Sequence, residues 1–412
     1  MKLALAIDSA RIEAELAELA GFSDSAAPSV TRIVFSATDG KARTWLKARL
    51  READLEVRED AVGNTFARWP GTDKGAVGTG SHIDAIPNSG RYDGTVGVLG
   101  GLEAIRALQR AGFKPRRSVE LLLFTSEEPT RFGIGCLGSR LLSGSLDAER
   151  ADALKDSDGA TLASVRASAG FPGSLNTVKL SPDYYSAFVE LHIEQGPLLE
   201  KTGVPIGIVE NIAAPATLRI SITGEGGHAG AVLMPQRRDA FLGACEIALG
   251  VEAAALATRS IDTVATTGIC RVFPGAVNSI PSSALLEIDV RDVDLGRRDA
   301  VLAAIEECSA RVAGKRSLEM EAVVLNADPP ARCDLRVIRA LEDSCTSQGL
   351  TFQEMTSRAY HDSLFMGRIA PVAMIFVPCR GGVSHRADEF ASTADITKGV
   401  AVLAGTLAEL AG

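Results

Sequence analysis

The chain has 412 residues, 46% of them hydrophobic and 23% charged. Those fractions are typical of folded globular chains and a poor fit to disordered or fibrous ones, and the length suggests two or three domains, or one large domain carrying an insertion. With 43 Lys plus Arg against 52 Asp plus Glu the net charge is −9, which argues against nucleic acid as a partner, and only five histidines are available for chemistry.

Taken in chain order, the N-terminus has one lysine and a five-residue apolar run that Asp8 interrupts, too short for a signal-peptide core. No run of 18 or more apolar residues follows, so no membrane span is expected and the chain is expected to be cytoplasmic. Seven cysteines are scattered singly with no C-x-x-C pair, which speaks against disulfides and against a thiolate zinc site. Apolar residues at helical spacing mark residues 41–53, 97–111 and 334–349, and short apolar runs at 119–124, 188–191 and 372–377 are bounded by Gly, Pro and charge. Alternation of helix and strand predicts an α/β three-layer sandwich around a mostly parallel sheet, formed by residues 1–215 and 328–412.

The texture changes over residues 216–327. Period-two alternation at 217–223 and 284–292, with helices expected at 239–257 and 297–312, predicts a smaller α+β domain whose sheet has one open face. It is inserted into the larger domain, with Pro-containing joints at 213–215 and 328–330 as hinges.

Candidate chemistry gathers at predicted strand ends. His82 and Asp84 follow one apolar stretch, and Asp93 sits in a glycine turn eleven residues after His82. A hydrophobic strand then runs directly into Glu127-Glu128, and His192 and His385 each lie at the end of an apolar strand. Charged groups are rarely placed there without partners. Two His/carboxylate half-sites sharing Asp93 suit two divalent ions with N and O ligands, Zn or Mn. Such a pair activates water and polarises a carbonyl while a free carboxylate relays the proton, which describes amide hydrolysis. A single strand-end histidine is more often a hydrogen-bonded structural residue; three of them with an Asp-Gly turn and a Glu-Glu pair make coincidence a poor account. Cys136 has no triad partner in the sequence and is expected to be a buried structural thiol.

The motifs G-S-H-I-D-A-I-P, Y-D-G-T-V-G-V-L-G, T-S-E-E-P-T-R-F-G, E-L-H-I-E-Q-G-P, G-G-H-A-G-A-V-L-M-P and V-S-H resemble, in order from Gly80 to His385, the metal-dependent hydantoinase/carbamoylase amidases, within the larger group of two-metal aminoacylases, carboxypeptidases and dipeptidases. The lid motif with F-P-G-A-V-N-S-I-P-S and S-R-A-Y-H-D-S is most similar to the ureidoglycolate-cleaving branch. The resemblance implies two divalent ions per subunit: His82 and His192 on one, Glu128 and His385 on the other, Asp93 between them. It implies Glu127 as general base and Asp84 as the carboxylate orienting His82. It places Gln195, Asn278, Arg291 and His361 near substrate, with an Arg fork suited to a carboxylate, although Arg291 has Asp289 and Asp292 as neighbours to pair with instead. His228 would reach from the inserted domain into the partner subunit's site to stabilise an oxyanion, making the inserted domain both lid and homodimer interface. The implied substrate is a small ureido or carbamoyl carboxylic acid, ureidoglycolate first, with N-carbamoyl-L-amino acids or allantoate as alternatives. A dipeptidase or aminoacylase, whose branches usually carry a carboxylate at the His192 position, and a catalytically silent binding protein are the remaining readings.

Overall fold

The computed structural model describes residues 5–412. The chain divides into two compact units, one of residues up to Glu210 with Arg332–Gly412, the other Asn211–Ala331.

In the first unit four parallel strands form the centre of the sheet, in the order Val372–Val377, Tyr185–Ile193, Asp73–His82 and Arg117–Phe124. Flanking strands run antiparallel: Ile206–Ile212 beside Val372–Val377, and Thr65–Trp69 beside Arg117–Phe124, followed by Glu56–Glu59. The expected mostly parallel sheet is therefore parallel only at its centre. The physical reason lies in burial. Val372–Val377 is buried throughout, as a strand covered on both faces must be, whereas Glu56–Glu59 is largely exposed and joins its neighbour through a short antiparallel connection that needs no crossover helix.

Helices cover both faces. Thr95–Arg110 lies close to the sheet through small residues: a Cβ on Gly101 would sit 2.7 Å from Leu121. Leu122 and Phe124, which alternate with Leu121 along the same strand, point instead into a core with Phe66, Leu137, Leu141, Phe188 and Met366.

The second unit is a four-stranded antiparallel sheet in the order Val264–Phe273, Ser283–Asp292, Ala214–Thr223, Glu319–Ala327. Ser283–Asp292 alternates partly and fully buried residues along its whole length, and its inward set (Leu286, Ile288, Val290) meets Ile247 and Val251 of helix Ala240–Ala257 and Val301 and Ile305 of helix Leu295–Arg316. Ala240–Ala257 qualifies the expectation that no segment suits a membrane: it is 18 residues long with mean hydropathy 1.7, enough by length and composition to cross one. Small residues raise that mean, and Glu246 within it pairs with Lys315 at 3.0 Å.

Candidate metal centre and active site

The register of the parallel strands assembles the centre. Thr79 pairs with Val189, so three residues further on His82 and His192 stand level at the carboxyl ends of adjacent strands. His82 also pairs with Phe124, and the chain continues from Phe124 into Glu127 and Glu128. Asp93 enters at the start of helix Thr95–Arg110 through Gly94, whose φ is 64°. That glycine is required: its N–H donates to His192 Nε2 at 3.1 Å, and a Cβ on it would lie 2.4 Å from the His82 ring.

The two oxygens of Asp93 face different ways. Oδ1 is 3.3 Å from His82 Nε2 and 3.2 Å from His192 Nε2, while Oδ2 is 3.3 Å from His385 Nε2. His385 Nε2 is in turn 3.2 Å from Glu128 Oε1. The donor atoms of His82, Asp93 and His192 converge closely enough to hold one ion, and those of Asp93, Glu128 and His385 another. Imidazole nitrogens and carboxylate oxygens without thiolate fit zinc or manganese. Electrostatics agree with that fit. Burial opposes charge on Asp93, but hydrogen bonds from His192, His385 and His82 outweigh it and hold its carboxyl well below the usual range. His385 is pushed up to about 11 by its hydrogen bonds to Asp93 and Glu128. So much carboxylate around three imidazoles calls for cations in the cluster, which bound metal supplies in place of protons.

Glu127 is set apart from the ligand groups. Its Oε2 lies 3.8 Å from His82 Nε2, and Oε1 accepts a hydrogen bond from the Cys136 thiol at 3.5 Å. Burial raises its pKa well above the carboxylate norm, Glu128 adds to that, and His82 partly offsets it. A base tuned upward in this way suits proton transfer near neutral pH. Cys136 is buried as expected, yet it touches the general-base candidate and so does more than fill space.

Asp84 departs from expectation. His82 Nδ1 is 3.0 Å from the Asp84 backbone carbonyl, whereas the Asp84 carboxylate is 3.7 Å away. That carboxylate instead accepts from the backbone N–H groups of Glu127 at 3.2 Å and Glu128 at 3.0 Å. Asp84 thus orients the imidazole by its main chain and the Glu-Glu pair by its side chain. Gln195 Nε2 donates to Asp93 Oδ2 at 2.6 Å, which ties it to the carboxylate that faces both ligand groups. His361 is buried, its ring centroid 4.6 Å from that of His192 and its Nε2 2.9 Å from Ser357 Oγ. Burial, reinforced by His192, keeps it neutral. Ser126, Cys136, Gln195 and His385 all adopt positive φ, so backbone strain concentrates around this centre.

Sequence reasoning missed Ser384, Glu389 and Glu190. Ser384 Oγ donates to Asp93 Oδ2 at 2.7 Å, and Glu190, fully buried, accepts from Ser81 Oγ at 2.8 Å and Ser363 Oγ at 2.6 Å. Glu190 carried a signal, a charge inside an otherwise apolar strand.

In the second unit His228 and Asn278 come together. His228 pairs with Ser279 in a short antiparallel ribbon, and Ala229 N–H donates to the Asn278 carbonyl at 2.9 Å. His228 is exposed, and its Nδ1 accepts from Gly230 N–H at 3.1 Å. Arg291 donates from Nε to Asp289 Oδ1 at 2.7 Å, while Asp292 is taken up by Arg297 at 2.6 Å.

With this geometry in place, comparison with known proteins is decisive. Residues 78–409 match the model of peptidase family M20/M25/M40. The chain belongs to that family. Among curated relatives, ureidoglycolate hydrolase of Oryza sativa subsp. japonica is 52% identical over 98% of this chain and 85% of its own length. Ureidoglycolate hydrolase of Arabidopsis thaliana is likewise 52% identical, over 98% of this chain and 87% of its own. The crystal structure of AtUAH in complex with (S)-hydroxyglycine superposes with a TM-score of 0.91 at 50% identity, covering 99% of this chain and 98% of that one. The resemblance read from the motifs, including its ureidoglycolate-cleaving branch, is borne out, and the chain is a hydrolase of the M20/M25/M40 family.

Proposed function

We propose that the protein is a two-metal amidohydrolase that cleaves the ureido C–N bond of ureidoglycolate. The observation that carries the mechanism is Asp93, with one oxygen toward His82 and His192 and the other toward His385. His82, His192 and Asp93 would hold one divalent ion, and Asp93, Glu128 and His385 the second. When bound, such a pair lowers the pKa of water and polarises the ureido carbonyl. Glu127, raised by burial and aligned by the Cys136 thiol, takes the proton from the attacking water and delivers it to the departing nitrogen. The carbamate released in this way breaks down to carbon dioxide and ammonia, leaving hydroxyglycine. Asp84, by accepting from the Glu127 and Glu128 amides, keeps base and ligand in register.

The substrate assignment draws on the relatives. (S)-hydroxyglycine, bound in AtUAH, is what remains of ureidoglycolate once its carbamoyl group is gone. Within the inserted unit we assign carboxylate recognition to Arg291 and Asn278 and oxyanion stabilisation to His228, with Gln195 and His361 completing the substrate set. An Arg fork matches a carboxylate in geometry, and the substrate would take the place of Asp289, which Arg291 pairs with through Nε and Nη2.

The same unit supports a homodimer. Leu249 and Leu256 on helix Ala240–Ala257 are 67% and 72% exposed, and Val264–Phe273 is an edge strand whose outer side is free to pair. An exposed His228 is what a residue serving a neighbouring subunit's site needs.

Ammonia release measured side by side on ureidoglycolate, allantoate and several N-carbamoyl-L-amino acids tests the substrate. Ureidoglycolate is expected to give the highest kcat/KM, and a clear preference for a carbamoyl amino acid would overturn the assignment.

A further inference from the structure

Two of the ligands reach the metal centre on segments nearly three hundred residues apart in sequence, and one buried side chain fastens both. Glu389 is 5% exposed. Its Oε1 accepts from the backbone N–H of Tyr92 at 2.8 Å and of Asp93 at 3.1 Å. Its Oε2 accepts from the His385 N–H at 3.3 Å and lies 3.0 Å from Ser384 Oγ. The single hydroxyl proton of Ser384 goes to the nearer acceptor, Asp93 Oδ2 at 2.7 Å, which closes the ring. The seat is shaped for this carboxylate, because a Cβ on Gly90 would lie 2.3 Å from Glu389 Cβ. Only a carboxylate offers acceptors at both ends of so short a group; three backbone N–H donors converge on it, and none of them can be met by an amide nitrogen.

We propose that Glu389 is a positioning residue for the second ion: by clamping the Tyr92-Asp93 turn to the Ser384-His385 loop it sets the spacing between Asp93 Oδ2 and His385 Nε2, and so the affinity of the Asp93, Glu128, His385 site. The first site shares Asp93 but takes His82 and His192 from the register of two strands, so it depends on Glu389 less. The inference rests on the two-ion reading given above. Partners of this kind, one step removed from the ion, typically change metal affinity 10- to 100-fold.

Calorimetric titration of chelator-stripped protein with Mn2+ tests it without recourse to activity. The wild type is expected to bind two ions, and Glu389→Gln, in which one end becomes a donor facing a donor, is expected to bind one with little change and the other about 10- to 100-fold more weakly. Activity of this variant should recover at high Mn2+, which a general loss of structure would not allow. Glu389→Asp, which keeps the charge but shortens the reach, should show the same single-site weakening and serves if the Gln variant does not fold. Wild-type affinity at both sites in either variant overturns the proposal, as does equal weakening of both. A wild type that binds no Mn2+ overturns the two-ion reading itself, a result separable from any behaviour of the variants.

Discussion

Glu127→Gln is expected to lower kcat about 10²- to 10⁴-fold, the range ordinarily supplied by a positioned acid-base group, while leaving bound metal and KM close to the wild type. Glu127 stands 3.8 Å from His82 Nε2 but belongs to neither ligand group, so its loss removes a proton carrier without opening a coordination position. The amide keeps the size of the carboxyl and an oxygen able to accept from the Cys136 thiol, so the fold around it has no reason to change. Steady-state kinetics with parallel metal analysis checks this. A variant within a few-fold of wild-type kcat would remove Glu127 from the chemistry.

Asp93→Ala is expected to act more broadly. Because its two oxygens serve both half-sites, one substitution weakens both ions at once, whereas a change at His385 or Glu128 touches only one. Loss of the several kcal/mol that a metal pair contributes to transition-state stabilisation corresponds to about 10³-fold or more in rate. Metal analysis of the variant should find neither ion retained after dialysis. Retention of one tightly bound ion would show that Asp93 is a ligand of a single site and not a bridge.

Much of this centre was legible in the sequence because its ligands lie where hydrophobic strands stop. A charged residue at the end of a buried run is visible without structure, and parallel register then brings His82, His192 and the Glu127-Glu128 pair together. Asp93 was legible through its glycine, which the approach of His82 demands. What stayed hidden are the interactions made by main-chain groups. Asp84 accepts from two backbone amides while its own carbonyl meets His82, and no residue pattern encodes the choice between carbonyl and carboxylate. Glu389 stands in a polar loop four residues after His385, where a carboxylate looks like an ordinary solvated charge until the chain folds over it. The antiparallel margins of the larger sheet were hidden for a related reason: Glu56–Glu59 is short and charged, and its pairing follows from chain proximity and not from a buried pattern. In the inserted unit, period-two alternation was strong enough to show its sheet and its open face, as Ser283–Asp292 illustrates.

Ureidoglycolate turnover by chelator-stripped protein, followed as ammonia release before and after restoring Mn2+ or Zn2+, bears most directly on the two-metal amidohydrolase assignment. The expected result is no measurable turnover in the stripped protein and full recovery as two equivalents of metal per chain are returned. Full activity in protein shown to be free of metal would contradict it.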